Sequence, residues 1–287
     1  PAGFDQPIAC ETIERSMASE GGRGEGSLDE DIYALGVTLS LLLQSQNPLR
    51  GKSAEQIIFS KLNSNSYQTL IGKQLLTKDL LAAIQGMLQD DVTKRWGFEE
   101  LDNWSRGRHV VPVRNIATKK SRRSFRFGEV DHRIPATLAY SMSTRRDSAL
   151  EVIKAGSIEH WIAEDVKDEE LAHSITVARE NAAALAETTA YSDELLLSRV
   201  LMLINPKAPI TYKDISFMPD GFGSAMAIEM LREGDTSVYT ESIINGIPDI
   251  WYDNSEKINP FEHIEKEFYS KMGSYLQKAG PGFGIER

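Results

Sequence analysis

The sequence has very little cysteine and no long apolar run. Cys10 is the one cysteine among 287 residues, so no disulfide can form within the chain and we expect a reducing compartment. No apolar stretch reaches the roughly 20 residues that a membrane-spanning helix needs, and no secretory signal peptide is recognisable. We therefore expect a cytoplasmic protein without a membrane span.

The 32 Lys and Arg residues are outnumbered by 42 Asp and Glu residues, except in one stretch. The formal net charge is -10, which argues against a chain whose main task is to bind nucleic acid or acidic lipid. The stretch "VVPVRNIATKKSRRSFRF", residues 110–127, carries several Lys and Arg residues and no acid. We interpret residues 109–124 as a solvated basic linker, and a contact with phosphate or an acidic partner is the alternative.

Residues that could carry metal or phosphate chemistry are not grouped in a strong motif. The histidines form no His-x-x-x-His or His-Glu-x-x-His pair and there is no second cysteine, so we expect no metal site. These histidines are His109, His132, His160, His173 and His263. Gly221 and Gly223 precede a predicted helix start where a phosphate could bind, but a turn with Ser224 as N-cap is the simpler interpretation.

Helical periodicity dominates the chain. It predicts helices over residues 27–44, 53–63, 77–89, 97–107, 135–155, 157–164, 169–187, 192–204 and 259–278. Residues 124–135 alternate enough for a small hairpin that turns near Gly128. No internal repeat is evident, and Trp161 and Trp251 are expected in the core. The predicted fold class is mainly α with at most a small β-hairpin.

The stretch "SLDEDIYALGVTLSLLLQ", residues 27–44, is unusual for a surface helix. It begins with acids, which suit the positive end of a helix dipole, and is then apolar on nearly every side. It is too short to cross a bilayer. We therefore expect this helix to lie inside a helical domain, covered on every side.

The first half of this stretch resembles a known pattern. In the eukaryotic-type protein kinases of bacteria, the central helix of the C-terminal lobe begins Asp-x-Trp-Ser-x-Gly-Val. Asp31, Gly36 and Val37 match this pattern, while Tyr33 stands in place of the Trp and Ala34 in place of the Ser.

Two further segments resemble the same family in the same order. "PIACETIERS", residues 7–16, looks like the end of the activation segment, with Ala9-Cys10-Glu11 where the family has Ala-Pro-Glu. "LQDDVTKRW", residues 88–96, is similar to the family's Leu-x-x-Asp-Pro-x-x-Arg segment, with Arg95 as the arginine and Val92 in place of the proline. The resemblance covers residues 1 to about 108.

The resemblance implies structural roles for four residues, Glu11, Asp31, Gly36 and Arg95. Asp31 would bond the backbone of a catalytic loop, since a buried charge needs such donors. Glu11 would pair with Arg95 and fix the substrate-docking end of the activation segment. Lys should not fully replace Arg95, because a guanidinium can form two parallel hydrogen bonds.

The motifs that carry phosphoryl transfer in this family are missing. The glycine-rich loop, the strand lysine, the catalytic Asp, the Asn and the Asp-Phe-Gly magnesium ligand all precede the activation segment. We therefore predict no catalytic, cofactor-binding or metal-binding residue in this chain. ATP and Mg are expected only if the parent protein has an intact N-terminal kinase region. The chain begins with Pro1, so we interpret it as processed or partial.

The expected organisation is a kinase-like C-lobe (1–108), a basic linker (109–124) and a helical accessory domain (125–287). The expected function is that of the C-terminal portion of a Ser/Thr kinase-like signalling protein, inactive by itself. The alternatives are a pseudokinase scaffold and a helical protein-interaction module. The expected partners are a protein partner or substrate and no nucleic acid. The missing kinase region, or a second copy, would cover the helix at 31–44.

Overall fold

The computed structural model describes residues 6–71, 76–114, 120–185, 192–255 and 263–279. The chain divides into two compact units. The first comprises residues 1–16 and 25–119, and the second comprises residues 17–24 and 120–287. A short segment from the early part of the chain therefore belongs to the second unit. The predicted limits 1–108, 109–124 and 125–287 stay predictions.

The described part of the first unit is helical. Its helices are α1 (Ile13–Ser16), α2 (Leu28–Leu42), α3 (Ala54–Asn63), α4 (Ser66–Leu70), α5 (Lys78–Met87) and α6 (Phe98–Ser105). Each longer helix has a local start signal. Ser53 caps α3 by accepting from the N–H of Gln56, and Thr77 caps α5 by accepting from the N–H of Leu80. At α2 the N–H of Ser27 donates to the carboxylate of Glu30 at 2.5 Å.

Helices α2 and α5 cross at a glycine. A Cβ added at Gly36 would lie 2.7 Å from the Cβ of Met87, so only glycine permits this approach. The core of the unit forms on both sides of the crossing and includes the fully buried Tyr33, Val37 and Ile84. Close packing between the two helices therefore depends on Gly36.

The second unit is helical with two small hairpins. Its strands are β1 (Phe125–Phe127), β2 (Val130–His132), β3 (Ile210–Tyr212) and β4 (Ile215–Phe217). Its helices are α7 (Pro135–Ser143), α8 (Arg146–Lys154), α9 (Ser157–Trp161), α10 (Glu169–Leu185), α11 (Ser192–Ile204), α12 (Phe222–Leu231), α13 (Ser237–Ile244), α14 (Ile247–Ser255) and α15 (His263–Ala279). A π-helical turn, Ile162–Val166, continues α9.

The same order of elements occurs twice in the second unit. A hairpin, three helices and a 17-residue helix run from β1 to α10 and again from β3 to α15. Both hairpins have the same register, with Phe125 opposite His132 in one and Ile210 opposite Phe217 in the other. Helix α11 lies between the two copies in sequence and contacts elements of both, including α7, α10, β3 and α14.

Detailed landmarks recur at matching positions of the two copies. Gly156 and Gly246 both have positive φ, 72° and 65°, and directly precede the third helix of their copy. The fifth residue after each glycine is a buried tryptophan. The indole of Trp161 donates to the carbonyl of Arg123 at 2.9 Å, and that of Trp251 donates to the carbonyl of Ala208 at 2.7 Å. Each acceptor lies two residues before its hairpin.

The expectation that no internal repeat exists is therefore wrong. The two copies share few identical residues, so letter comparison does not reveal them. They share backbone geometry and hydrogen bonds. Both tryptophans lie in the core, as predicted.

Residues 17–24 lie along the second hairpin. The N–H of Ser19 donates to the carbonyl of Ser216 at 3.0 Å, and its hydroxyl donates to the same oxygen at 2.6 Å. The N–H of Met218 donates to the carbonyl of Gly22 at 2.7 Å. This short segment thus covers the outer edge of β4.

The predicted role of Ser224 as an N-cap is wrong. Helix α12 begins at Phe222, so Ser224 lies inside its first turn and donates to the carbonyl of Gly21 at 2.8 Å. A Cβ at Gly221 would lie 2.1 Å from the carbonyl oxygen of Gly22. The chain itself therefore occupies the space beside this glycine, where a phosphate could have bound.

The mainly α fold class is confirmed, and the limit of one hairpin is wrong because β3 and β4 form a second one. The hairpin at Gly128 is confirmed. The predicted helix 135–155 is divided into α7 and α8. The predicted start of the last helix at residue 259 lies outside the described residues. None of the described helices is both long enough and apolar enough to span a membrane.

Candidate functional site

A buried ammonium group holds residues 8–11 of the first unit. Lys61 carries a charge but is only 1% exposed, and it lies on the buried face of α3. Its Nζ donates to the carbonyls of Ala9 at 2.9 Å and Glu11 at 2.7 Å, with a longer contact to Ile8 at 3.3 Å. One side chain thus satisfies several backbone acceptors of the segment that resembles the end of an activation segment.

The ring of Tyr33 lies next to two cations. The Nζ of Lys61 and the guanidinium carbon of Arg95 each lie 5.2 Å from the ring centroid. Such cation–π contacts are strongest when they are shielded from water, as here. The hydroxyl of Tyr33 donates to Ser66 at 2.7 Å, and the N–H of Ser66 donates to Asp90 at 3.1 Å.

Burial dominates the titration of this cluster. It lowers the pKa of Lys61 to about 8, although the nearby carboxylate of Asp90 acts in the opposite direction. It also raises the pKa of the Asp90 carboxyl and holds the pKa of Tyr33 well above its usual value. Oδ1 of Asp90 is buried without a hydrogen bond among the described residues. Hydrogen bonds and opposite charges therefore only partly offset the cost of burying the charges in this cluster.

Arg95 joins two segments of the first unit through carbonyl groups. Its Nε donates to the carbonyl of Gln89 at 2.8 Å, and its Nη1 donates to the carbonyl of Asp29 at 3.1 Å. Asp29 lies in the first turn of α2. Arg95 therefore holds the segment after α5 against the start of α2.

The predicted ion pair between Glu11 and Arg95 is not found in the described part of the chain. The two hydrogen bonds of Arg95 go to backbone carbonyls instead. The backbone of Glu11 is held by Lys61, which lies beside the same tyrosine ring as Arg95. The two segments are thus joined through Lys61 and Tyr33. Lys61 was missed because a lysine is normally assigned to the surface, although its position four residues after Ile57 places it on the buried face.

Asp31 and Gly36 lie on different faces of α2. Asp31 is exposed, so the expectation of a buried charge there is not met, and its bond to a catalytic loop stays a prediction. Gly36 is buried at the crossing with α5. Cys10 is half-buried, and burial raises the pKa of its thiol.

Helix α2 is not covered on every side. Its buried face includes Ile32, Tyr33 and Val37, which pack inside the unit. Leu28, Leu35 and Leu42 follow one another at seven-residue spacing and are 51%, 45% and 75% exposed. Residues seven apart lie on the same face of a helix. The expected cover of this face is therefore missing from the described residues.

The described residues contain no group of three or more His, Cys, Asp or Glu side chains that could hold a metal ion. The buried cluster holds backbone segments together. The chain matches no protein-family model, and no curated protein or solved structure gives a significant match to it.

Proposed function

We propose that this chain is the C-terminal portion of a Ser/Thr kinase-like signalling protein, whose first unit acts as a kinase-type helical lobe without catalysis of its own. The observation that carries the proposal is the crossing of α2 and α5 at Gly36. This glycine belongs to the segment that resembles the family's central lobe helix, and it is the residue that the packing requires. Arg95, from the second matching segment, bonds the start of the same helix.

The segment at residues 7–16 supports the proposal in a modified form. In the family an ion pair fixes the end of the activation segment. Here the Lys61 ammonium fixes residues 8–11 through backbone carbonyls. The same segment is therefore immobilised by a different residue, which would keep a substrate-docking surface in place.

The exposed leucines of α2 give the proposed lobe a place for a partner. Leu28, Leu35 and Leu42 form an apolar stripe that water contacts directly. A kinase region supplied by the parent protein, or a second copy of this chain, would remove this stripe from water. Burial of each leucine would contribute about 1–2 kcal/mol to association.

Nucleotide binding tests the proposal. We expect isothermal titration calorimetry of the full chain with ATP and Mg to give no binding heat, because the motifs that hold ATP and Mg in the family are absent from this sequence. A competent bacterial Ser/Thr kinase domain, measured in the same buffer, is the positive control. Saturable binding at one site of this chain would contradict the proposal.

The runner-up is a pseudokinase scaffold that works through its second unit. The duplication within that unit favours this reading, because repeated modules commonly serve as binding surfaces. The reading frame upstream of Pro1 distinguishes the two. A strand lysine, a catalytic Asp and an Asp-Phe-Gly motif would support the kinase, and substitutions at these positions would support the scaffold.

A further inference from the structure

A cavity of the first unit lies between α4, α5 and the segment that follows α6. It is a groove of about 540 Å³. One wall is formed by α4 and its N-cap, the second by α5, and the third by residues 109–114, which have no regular secondary structure. Tyr67, Leu81 and Pro112 provide its apolar surface. Grooves of this size accept a peptide or a small molecule.

The charge of this groove is opposite to that of the protein. None of the residues that line it is Asp or Glu, although the whole sequence has 42 acidic residues and a net charge of -10. Lys78 and Arg114 line it and are exposed. Among the described residues, neither forms an ion pair. The groove therefore has two positively charged side chains, without an acidic partner, beside its apolar surface.

The segment at one wall of the groove has an open backbone edge. Gln89 is buried, and its side-chain amide donates to the carbonyl of Val113, which fixes the segment in place. Within the described ranges this is the single hydrogen bond made by the backbone of residues 110–114. The side chains of Val111 and Val113 are 71% and 50% exposed. Pro112 has no N–H, so an added strand could pair here through the other backbone N–H and C=O groups of residues 110–114.

We propose that this groove binds an extended acidic peptide, which pairs with the backbone of residues 110–114 and places its carboxylates near Lys78 and Arg114. Alternation along such a peptide puts every second side chain on the same side. Glutamates would face the two cations, and apolar residues between them would contact Val111 and Val113. The inference does not depend on the kinase resemblance.

Fluorescence anisotropy with a synthetic probe tests the proposal. The probe is a fluorescein-labelled peptide of alternating glutamate and valine, titrated with the full chain at low salt. We expect saturable binding that weakens as salt rises, because the attraction is partly electrostatic. A probe with lysine in place of glutamate should not bind. Equal binding of the two probes would overturn the proposal.

Charge-reversal variants locate the site. Lys78→Glu combined with Arg114→Glu should weaken binding of the acidic probe at least tenfold. Arg50→Glu combined with Lys52→Glu is the matched control, because both residues are exposed and neither lines the groove. The control pair should change binding less than twofold. An equal loss in both pairs would show attraction to the general surface and would overturn the proposal.

Two further probes define the mode and the class of ligand. A probe that is N-methylated at alternate residues cannot pair as a strand, and we expect its affinity to fall at least tenfold. Unchanged affinity would overturn the strand-pairing part of the proposal. Single-stranded oligo-dT of equal charge should bind more weakly than the acidic peptide. Tighter binding of oligo-dT that the groove variants abolish would assign the groove to nucleic acid and overturn the peptide assignment.

Discussion

Lys61 has an unusual environment, because a nearly fully buried ammonium faces backbone carbonyls and a tyrosine ring. Its pKa in the folded chain is lowered to about 8 from 10.5, and burial is the main cause. The unfolded chain therefore holds this proton up to a higher pH than the folded chain does. The contribution of Lys61 to the free energy of unfolding rises with pH between about 8 and 10.5.

We predict that this slope disappears when Lys61 is replaced. The difference in unfolding free energy between the wild type and Lys61→Met should grow in favour of the wild type from pH 8 to pH 10, and it should be nearly flat between pH 6 and 7.5. Urea unfolding of both proteins at each pH measures this difference. If the unfolding free energies of the two proteins differed by the same amount at every pH from 6 to 10, Lys61 would titrate as an exposed lysine does.

Arg95 should not be replaceable by lysine. Two of its nitrogen atoms reach carbonyls on different segments, and one ammonium group cannot reproduce both bonds at the same geometry. We expect Arg95→Lys to lower the free energy of unfolding by about 1–3 kcal/mol, the usual range for an unsatisfied buried acceptor. Denaturant unfolding gives the value. Arg106→Lys, in an exposed ion pair with Asp102, is the control and should change the free energy by less than about 0.5 kcal/mol.

At the scale of elements, the close crossing of α2 and α5 requires that residue 36 has no Cβ. Gly36→Ala places a Cβ 2.7 Å from that of Met87. Alanine improves helix propensity by about 1 kcal/mol, but overpacking costs about 1–3 kcal/mol and requires the helices to separate. We expect net destabilisation of the first unit in thermal or denaturant unfolding.

Gly223 offers a matched control for this substitution. It also lies in a helix, α12, and a Cβ there would meet no atom within 4 Å. Gly223→Ala should therefore stabilise the protein by about 0.5–1 kcal/mol through helix propensity alone. If both substitutions had the same sign, the close approach at Gly36 would not be the cause of the effect.

Helical elements were predictable where an apolar stripe and a capping residue occur together. The starts of α3 and α5 are examples, since Ser53 and Thr77 begin the predicted ranges and cap the two helices. The all-round apolar character of residues 27–44 was misleading, because apolar composition does not reveal which face finds a partner. The second hairpin was missed because Lys213 takes a positive φ at its turn, a conformation usually signalled by glycine.

At the scale of the molecule, the duplication in the second unit is the feature that the sequence conceals most completely. Each copy has a glycine of positive φ and a tryptophan whose indole N–H donates to a backbone carbonyl just before the hairpin. These are properties of backbone conformation and hydrogen bonding. The contact between residues 17–24 and β4 is hidden for a similar reason, since Ser19 and Ser216 lie far apart in sequence.

The equivalence of the copies predicts equal effects of equivalent substitutions. Trp161→Phe and Trp251→Phe each remove an indole N–H that donates to a carbonyl, that of Arg123 or Ala208. We expect each to lower the stability of the second unit by about 2–3 kcal/mol, from the lost bond and the smaller ring. Chemical denaturation followed by far-ultraviolet circular dichroism measures both. A large effect at one tryptophan and none at the other would argue that the copies are not equivalent.

The measurement that tests the central claim most directly is a lobe exchange. Residues 6–16 and 25–114, joined by the host kinase's own connection in place of residues 17–24, would replace the corresponding segment, from the end of the activation segment onward, in an active bacterial Ser/Thr kinase. If the first unit is a kinase-type lobe, the chimera should unfold cooperatively and transfer phosphate from ATP to a peptide at a measurable rate. The same chimera with Gly36→Val should lose both properties. A chimera that shows neither cooperative unfolding nor phosphoryl transfer, while the unmodified kinase shows both, would contradict the account.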